Sequence, residues 1–262
     1  MNKLENYSVL YLLPKVLFLG FGFKLMIIIA GSHAWISIIL GILIGLGINF
    51  CLTKIMPGMH RVIVLIYSLI FLIIGLILMV RMISRIYLDA APIWYILIPI
   101  LLLIFYTITK KENTIYRVSS ILVIFQMALL GLAFIILTPS IEMNNLIDLN
   151  QFHEISIINA SIIFAFLTTS PYVLLTNFKE QYNYKTYLIS CLTLLFITIL
   201  IIGGLTTNVA LLFDYPEYVL FKSINIIGYL ENIENFLFSI WFIIYFPFLT
   251  IAAYNIKKVL AK

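Results

Sequence analysis

Eight apolar runs, each near the length of a membrane-crossing helix and joined by short polar connections, constrain this chain more than any other feature. They cover approximately residues 7–30, 34–53, 62–83, 92–109, 115–138, 157–177, 186–206 and 235–254. A helix of about 20 apolar residues crosses a hydrocarbon layer about 30 Å thick. The chain is 63% hydrophobic and 10% charged, whereas a soluble domain carries about 25% charged residues. No packing in water hides that much apolar surface, so the solvent is lipid. The expected fold is an all-α integral membrane bundle of about eight transmembrane helices. Because the connections are short, residues 1–262 form one polytopic domain.

The basic residues predict the orientation. With the N-terminus cytoplasmic, eleven of the sixteen Lys and Arg residues fall on the cytoplasmic side, among them Lys54, Arg61, Lys110, Lys111, Lys257 and Lys258. Arg81, Arg85 and Lys222 lie outside, and Lys15 and Lys24 fall within the first run. Positive residues favour cytoplasmic loops, so both termini are expected in the cytoplasm of a plasma-membrane protein. The acids sort the other way: Asp89, Glu142, Asp148, Glu154, Asp214, Glu217, Glu231 and Glu234 fall in outer loops. Loops 139–156 and 207–230 mix Leu, Ile and Tyr with these acids and read as short helices on the outer surface.

Several function classes are disfavoured. The net charge of +5 is dispersed between apolar runs, without the basic stripe or motif of a nucleic-acid binder, so the surrounding partner is lipid. Cys51 and Cys191 fall in or beside apolar runs and read as small buried hydrophobes. His33, His60 and His153 are scattered and read as interfacial, so no metal site or other cofactor is expected. No catalytic triad, phosphate loop or zinc helix is present, and no enzymatic activity is expected. The first run carries Lys15 and Lys24 and no small-residue cleavage site, unlike a signal peptide.

Two runs carry helix breakers. The first contains Gly20-Phe21-Gly22 and the sixth Thr168-Thr169-Ser170-Pro171-Tyr172. Proline removes a backbone donor and clashes with the preceding turn, and glycine admits close approach. Interruptions at matching places in two halves are a pointer to a transporter-type site. The same residues fit a helix-packing face at Gly20 and Gly22 and a simple kink at Pro171. Ionisable groups within the bilayer are costly. Lys24 stands near the first break, and Lys15 is placed to snorkel inward. Arg81 and Arg85 fit either snorkelling to headgroups or, for Arg85, an ion pair with Asp89 one turn on. Tyr67, Gln126 and Asn159 are further candidates for a polar cavity.

Three segments carry a family resemblance. Ala30-Gly31-Ser32-His33-Ala34-Trp35-Ile36-Ser37 follows the Gly-x-Gly of the first run, Pro171-Tyr172 ends the sixth, and Tyr215-Pro216-Glu217-Tyr218 precedes Ile226 through Glu234. In these the chain resembles the B-subunit, permease-like family of spore germinant receptors, within the amino acid–polyamine–organocation superfamily. The resemblance implies an inverted-repeat amino-acid-transporter-like fold, here lacking its last two helices. It implies the inner membrane of the spore and A- and C-type partner subunits. A small nutrient, an amino acid, would bind at the two broken helices beside Gly20, Gly22, Lys24, Thr168, Thr169, Ser170 and Pro171, with Tyr67 as a wall. Ser32-His33 and Lys24 depart from the family's pattern. The alternatives are an ion-coupled amino-acid transporter and a membrane scaffold without a ligand. The lack of a carboxylate inside any apolar run weighs against proton coupling.

Overall fold

The computed structural model describes residues 3–55, 59–88, 91–146, 153–177, 183–222 and 233–260. Among them helix is the only regular structure. The α-helices are α1 (Lys3–Val16), α2 (Gly22–Ala30), α3 (Ala34–Ile55), α4 (Arg61–Ile86), α5 (Ile93–Ile108), α6 (Glu112–Leu137), α7 (Glu154–Thr169), α8 (Tyr184–Leu205), α9 (Thr207–Leu212), α10 (Pro216–Lys222) and α11 (Ile233–Leu260). Each apolar run carries helix. Five stretches are long and apolar enough to cross a membrane: Gly22–Ile55, Arg61–Ile86, Glu112–Ser140, Glu154–Thr176 and Tyr184–Leu205. The chain is an all-α membrane protein.

Burial separates a central helix from peripheral ones. From Ser8 to Leu19 every residue is buried, which requires a helix surrounded on all sides. α1 packs against α6, α7, α8 and α11. The outer helices instead present large apolar side chains outward, such as Phe105 at 71% and Ile135 at 73% exposure. Apolar surface this continuous is stable only against lipid or a partner.

Small residues set the closest helix contacts, as expected where lipid removes the hydrophobic drive for association. α3 lies on α7 at Gly41, where a Cβ would stand 2.9 Å from the Ser161 carbonyl oxygen and 2.7 Å from the Phe164 ring. On α4, Gly75 faces Phe248 and Leu249 of α11. Gly41→Val is expected to destabilise the bundle by about 1–3 kcal/mol through overpacking. Its unfolding midpoint in lipid nanodiscs measures this, and a wild-type midpoint would mean that α3 and α7 do not meet at Gly41.

Two ion pairs mark one end of the bundle. Glu5 of α1 lies 3.7 Å from Arg117 of α6, and Glu112 of α6 lies 2.7 Å from Lys258 of α11. The start of α1, the start of α6 and the end of α11 therefore share one side. From that side α1 runs inward to the break.

Candidate functional site

The first helix breaks at the glycines. Residues 17–21 form turns between α1 and α2, and Gly20 takes φ +90°, a value that side-chain-bearing residues rarely adopt. Backbone groups at such a break need tertiary partners in lipid. Tyr245 of α11 donates its hydroxyl to the Leu19 carbonyl at 2.5 Å. The Gly20 N–H bonds the Glu217 carboxylate, which α10 brings down onto the break. Glu217 is 2% exposed.

Beside the break opens a cleft of about 210 Å³, lined by Gly20, Phe21, Lys24, Leu25, Ile28, Arg81, Asp214 and Tyr215. This is smaller than the roughly 300–1,000 Å³ that hold drug-sized ligands. Asp214 is the electrostatic hub: Lys24 lies 3.2 Å from its Oδ1 and Arg85 3.3 Å from its Oδ2. The Lys24 hydrogen bond chiefly, and then the charges of Lys24, Arg85 and Arg81, hold the Asp214 carboxyl below the usual carboxylate range. Three cations face this one anion, so the rim is net positive. Such a lining attracts a carboxylate, while Asp214 can accept from an ammonium group.

The second expected break lies elsewhere. α7 tightens after Thr169 into a 3-10 segment, Ser170–Asn177, at Pro171. Thr168 donates to the Phe164 carbonyl at 2.9 Å and shares a 3.0 Å hydrogen bond with Tyr187, and Thr169 donates to Ala165 at 2.7 Å. The threonine hydroxyls are thus committed within the core. Tyr172 of the segment donates to the Leu10 carbonyl of α1, and Asn255 of α11 donates to the segment's own Leu174 carbonyl. Phe18, from the break, packs edge-on against Phe164 of α7 at 5.2 Å and Phe23 of α2 at 4.8 Å. A Cβ on Gly22 would collide with the Phe18 ring. Of the residues expected at one site, Gly20 and Lys24 line the cleft, whereas Gly22, Thr168, Thr169, Ser170 and Pro171 do not. Tyr67 lies at a tilt against Phe71, ring centroids 5.9 Å apart, on the flank of α4, 37% exposed, and does not line the cleft either.

Other residues depart from their expected settings. Lys15 does not snorkel: it is 1% exposed, with Nζ 3.4 Å over the Tyr11 ring and no hydrogen-bond acceptor among the described residues. The cause is the central position of α1, which leaves no path to either surface. Cys51 is exposed rather than buried, because α3 turns that face outward, whereas Cys191 is buried. His33 is buried and bonds Ser32 at 3.3 Å. His60 caps α4 by accepting the Val62 N–H. Asn159 is exposed, and Gln126 is buried with no hydrogen-bond partner for its amide among the described residues. Asp89, Asp148 and the block Ile226–Asn232 lie outside the described residues.

Asp214, Tyr215 and Glu217 at the cleft, with Tyr245 behind it, were not expected as site residues. In the sequence Tyr-Pro-Glu-Tyr reads as a family likeness within a short outer helix, with Glu217 among the outer-loop acids. No periodicity signals that a loop folds back onto a break some two hundred positions earlier. Comparison with protein-family models, with curated proteins and with solved structures finds no match for the chain.

Proposed function

We propose that this chain is the permease-like subunit of a spore germinant receptor, which binds a small zwitterionic nutrient, an amino acid, in the cleft beside the broken first helix. The observation that carries the binding reading is one 210 Å³ cleft holding Lys24, Arg81 and Asp214 against a Gly20 backbone at φ +90°. Lys24 and Arg81 receive the ligand carboxylate, Asp214 its ammonium group, and the glycine lets the ligand approach the main chain. The assignment to a germinant receptor is supported by the likeness at Ala30–Ser37, Pro171-Tyr172 and Tyr215–Tyr218. In this reading the chain crosses the inner spore membrane about eight times in an inverted-repeat fold, with both termini cytoplasmic. The cleft then faces the outside, where nutrients arrive. Ligand binding shifts the populations of two bundle arrangements, and the A- and C-type subunits read that shift.

A thermal-shift panel of the proteinogenic amino acids on the protein in nanodiscs tests this. At least one amino acid is expected to raise the midpoint progressively with concentration, by the equivalent of about 2.7 kcal/mol at a hundredfold excess over Kd. Lys24→Gln and Arg81→Gln are expected to remove most of that rise. A flat response across the panel would overturn the proposal and leave a scaffold without a ligand. Uptake into proteoliposomes under an ion gradient separates sensing from transport.

A further inference from the structure

Glu217 is a carboxylate that the loop α9–α10 drives out of solvent and seats on the main chain of the broken helix. It is 2% exposed, and its carboxylate accepts the Gly20 N–H and its own backbone N–H. Gly20 also lines the ligand cleft, as does Tyr215, two residues before Glu217. No cation bonds the Glu217 carboxylate among the described residues; Lys24 and Arg85 are paired with Asp214 instead. A buried carboxylate held only by neutral donors is one whose charged form is poorly compensated.

We infer that Glu217 is a proton-binding site wired to the cleft, so that ligand and proton bind cooperatively at this end of the bundle. The inference rests on the cleft being the ligand site proposed above. As a carboxylate, Glu217 holds the Gly20 N–H with a charge-assisted bond. A proton taken from the aqueous side weakens that bond and frees the Gly20 segment to adjust. A zwitterionic ligand sets its carboxylate at Lys24 and Arg81, against the Gly20 main chain that Glu217 also holds, and its ammonium group at Asp214; the negative end then lies on the Glu217 side and favours its protonation. By reciprocity, protonation favours the ligand, and acidification tightens binding.

The surrounding groups do not oppose this. From α11, Tyr245 faces Glu217, and Tyr215 and Asp214 adjoin it along the chain. From α2, Lys24 is bound to Asp214, and from α4, Arg81 and Arg85 act on Tyr215 and Asp214. α8 carries Tyr184, Lys185, Tyr187 and Cys191 near its start, whereas α10 meets its end, where Leu220 packs on Gly204. Burial pushes the Glu217 carboxyl up to about 7, against the two backbone hydrogen bonds.

Two measurements on the full chain in nanodiscs test the site without a ligand, so their failure is distinct from failure of the amino-acid panel. Infrared difference spectra are expected to show a protonated-carboxyl C=O band that appears as pH falls through about 7 and is absent from Glu217→Gln. Hydrogen exchange at residues 17–24, corrected for its intrinsic pH dependence, is expected to rise about tenfold over the same fall, the equivalent of weakening one charged hydrogen bond. In Glu217→Gln that exchange is expected to be independent of pH. The absence of a titrating carboxyl band in the wild type would overturn the inference even if the variant failed to fold. The same band in the variant, or unaltered exchange in the wild type, would also overturn it.

Discussion

Gly20→Val is expected to abolish amino-acid-induced stabilisation and to destabilise the fold by several kcal/mol. Two costs add. A β-branched residue held near φ +90° is strained by about 1–3 kcal/mol. Its Cβ would also stand 3.0 Å from the Tyr245 hydroxyl, the group that donates to the Leu19 carbonyl. Pushing Tyr245 away orphans that carbonyl inside the bundle, at about 1–3 kcal/mol more. Helix continuing through residues 17–21 would relieve the strain, but it would also withdraw the Gly20 N–H from Glu217 and close the cleft. The unfolding midpoint and the ligand-dependent shift, both in nanodiscs, give the two effects separately. Wild-type values for both would mean that the break at Gly20 is incidental to stability and binding.

Lys15→Met is expected to act in the opposite direction and to stabilise the bundle, by about 1–3 kcal/mol. The side chain is enclosed by α1's neighbours, and its Nζ has only the face of Tyr11 for company. A cation over an aromatic face recovers about 0.5–2 kcal/mol, less than the penalty for an ammonium group without an acceptor in a dry core. Methionine preserves the apolar stem, so packing is kept while the orphan is removed. A midpoint that rises in the variant with an unchanged response to amino acids would show that Lys15 serves neither ligand nor fold. A midpoint that falls would overturn the account and reveal an acceptor for Nζ in the membrane.

Gly20-Phe21-Gly22 signalled an interruption, and the chain leaves the helix there, because glycine's tolerance of positive φ is a property of the residue itself. Pro171 likewise marks the change from α7 to a 3-10 segment. Their pairing into one site is not a local property: Phe18 and Phe164 pack aromatic edges between these segments, and Thr168 and Thr169 turn back on their own helix. Lys15 shows the same boundary: its place along the run was plain, but its enclosure depends on which helices surround α1.

Read alone, the order of residues determined that lipid is the solvent and that helix is the only regular element to expect, and it left the glycines of the first run open between a break and a packing face. These follow from transfer free energies and dihedral preferences, which act over a few neighbouring residues. Tertiary structure alone decided that Lys24 meets Asp214 across 190 positions, that Tyr245 reaches Leu19 across 226, and that a loop glutamate is buried against Gly20. Helical periodicity states which face of a helix is apolar and is silent on which partner covers it. The charges at the cleft were therefore visible one by one, and their convergence came only with the packing.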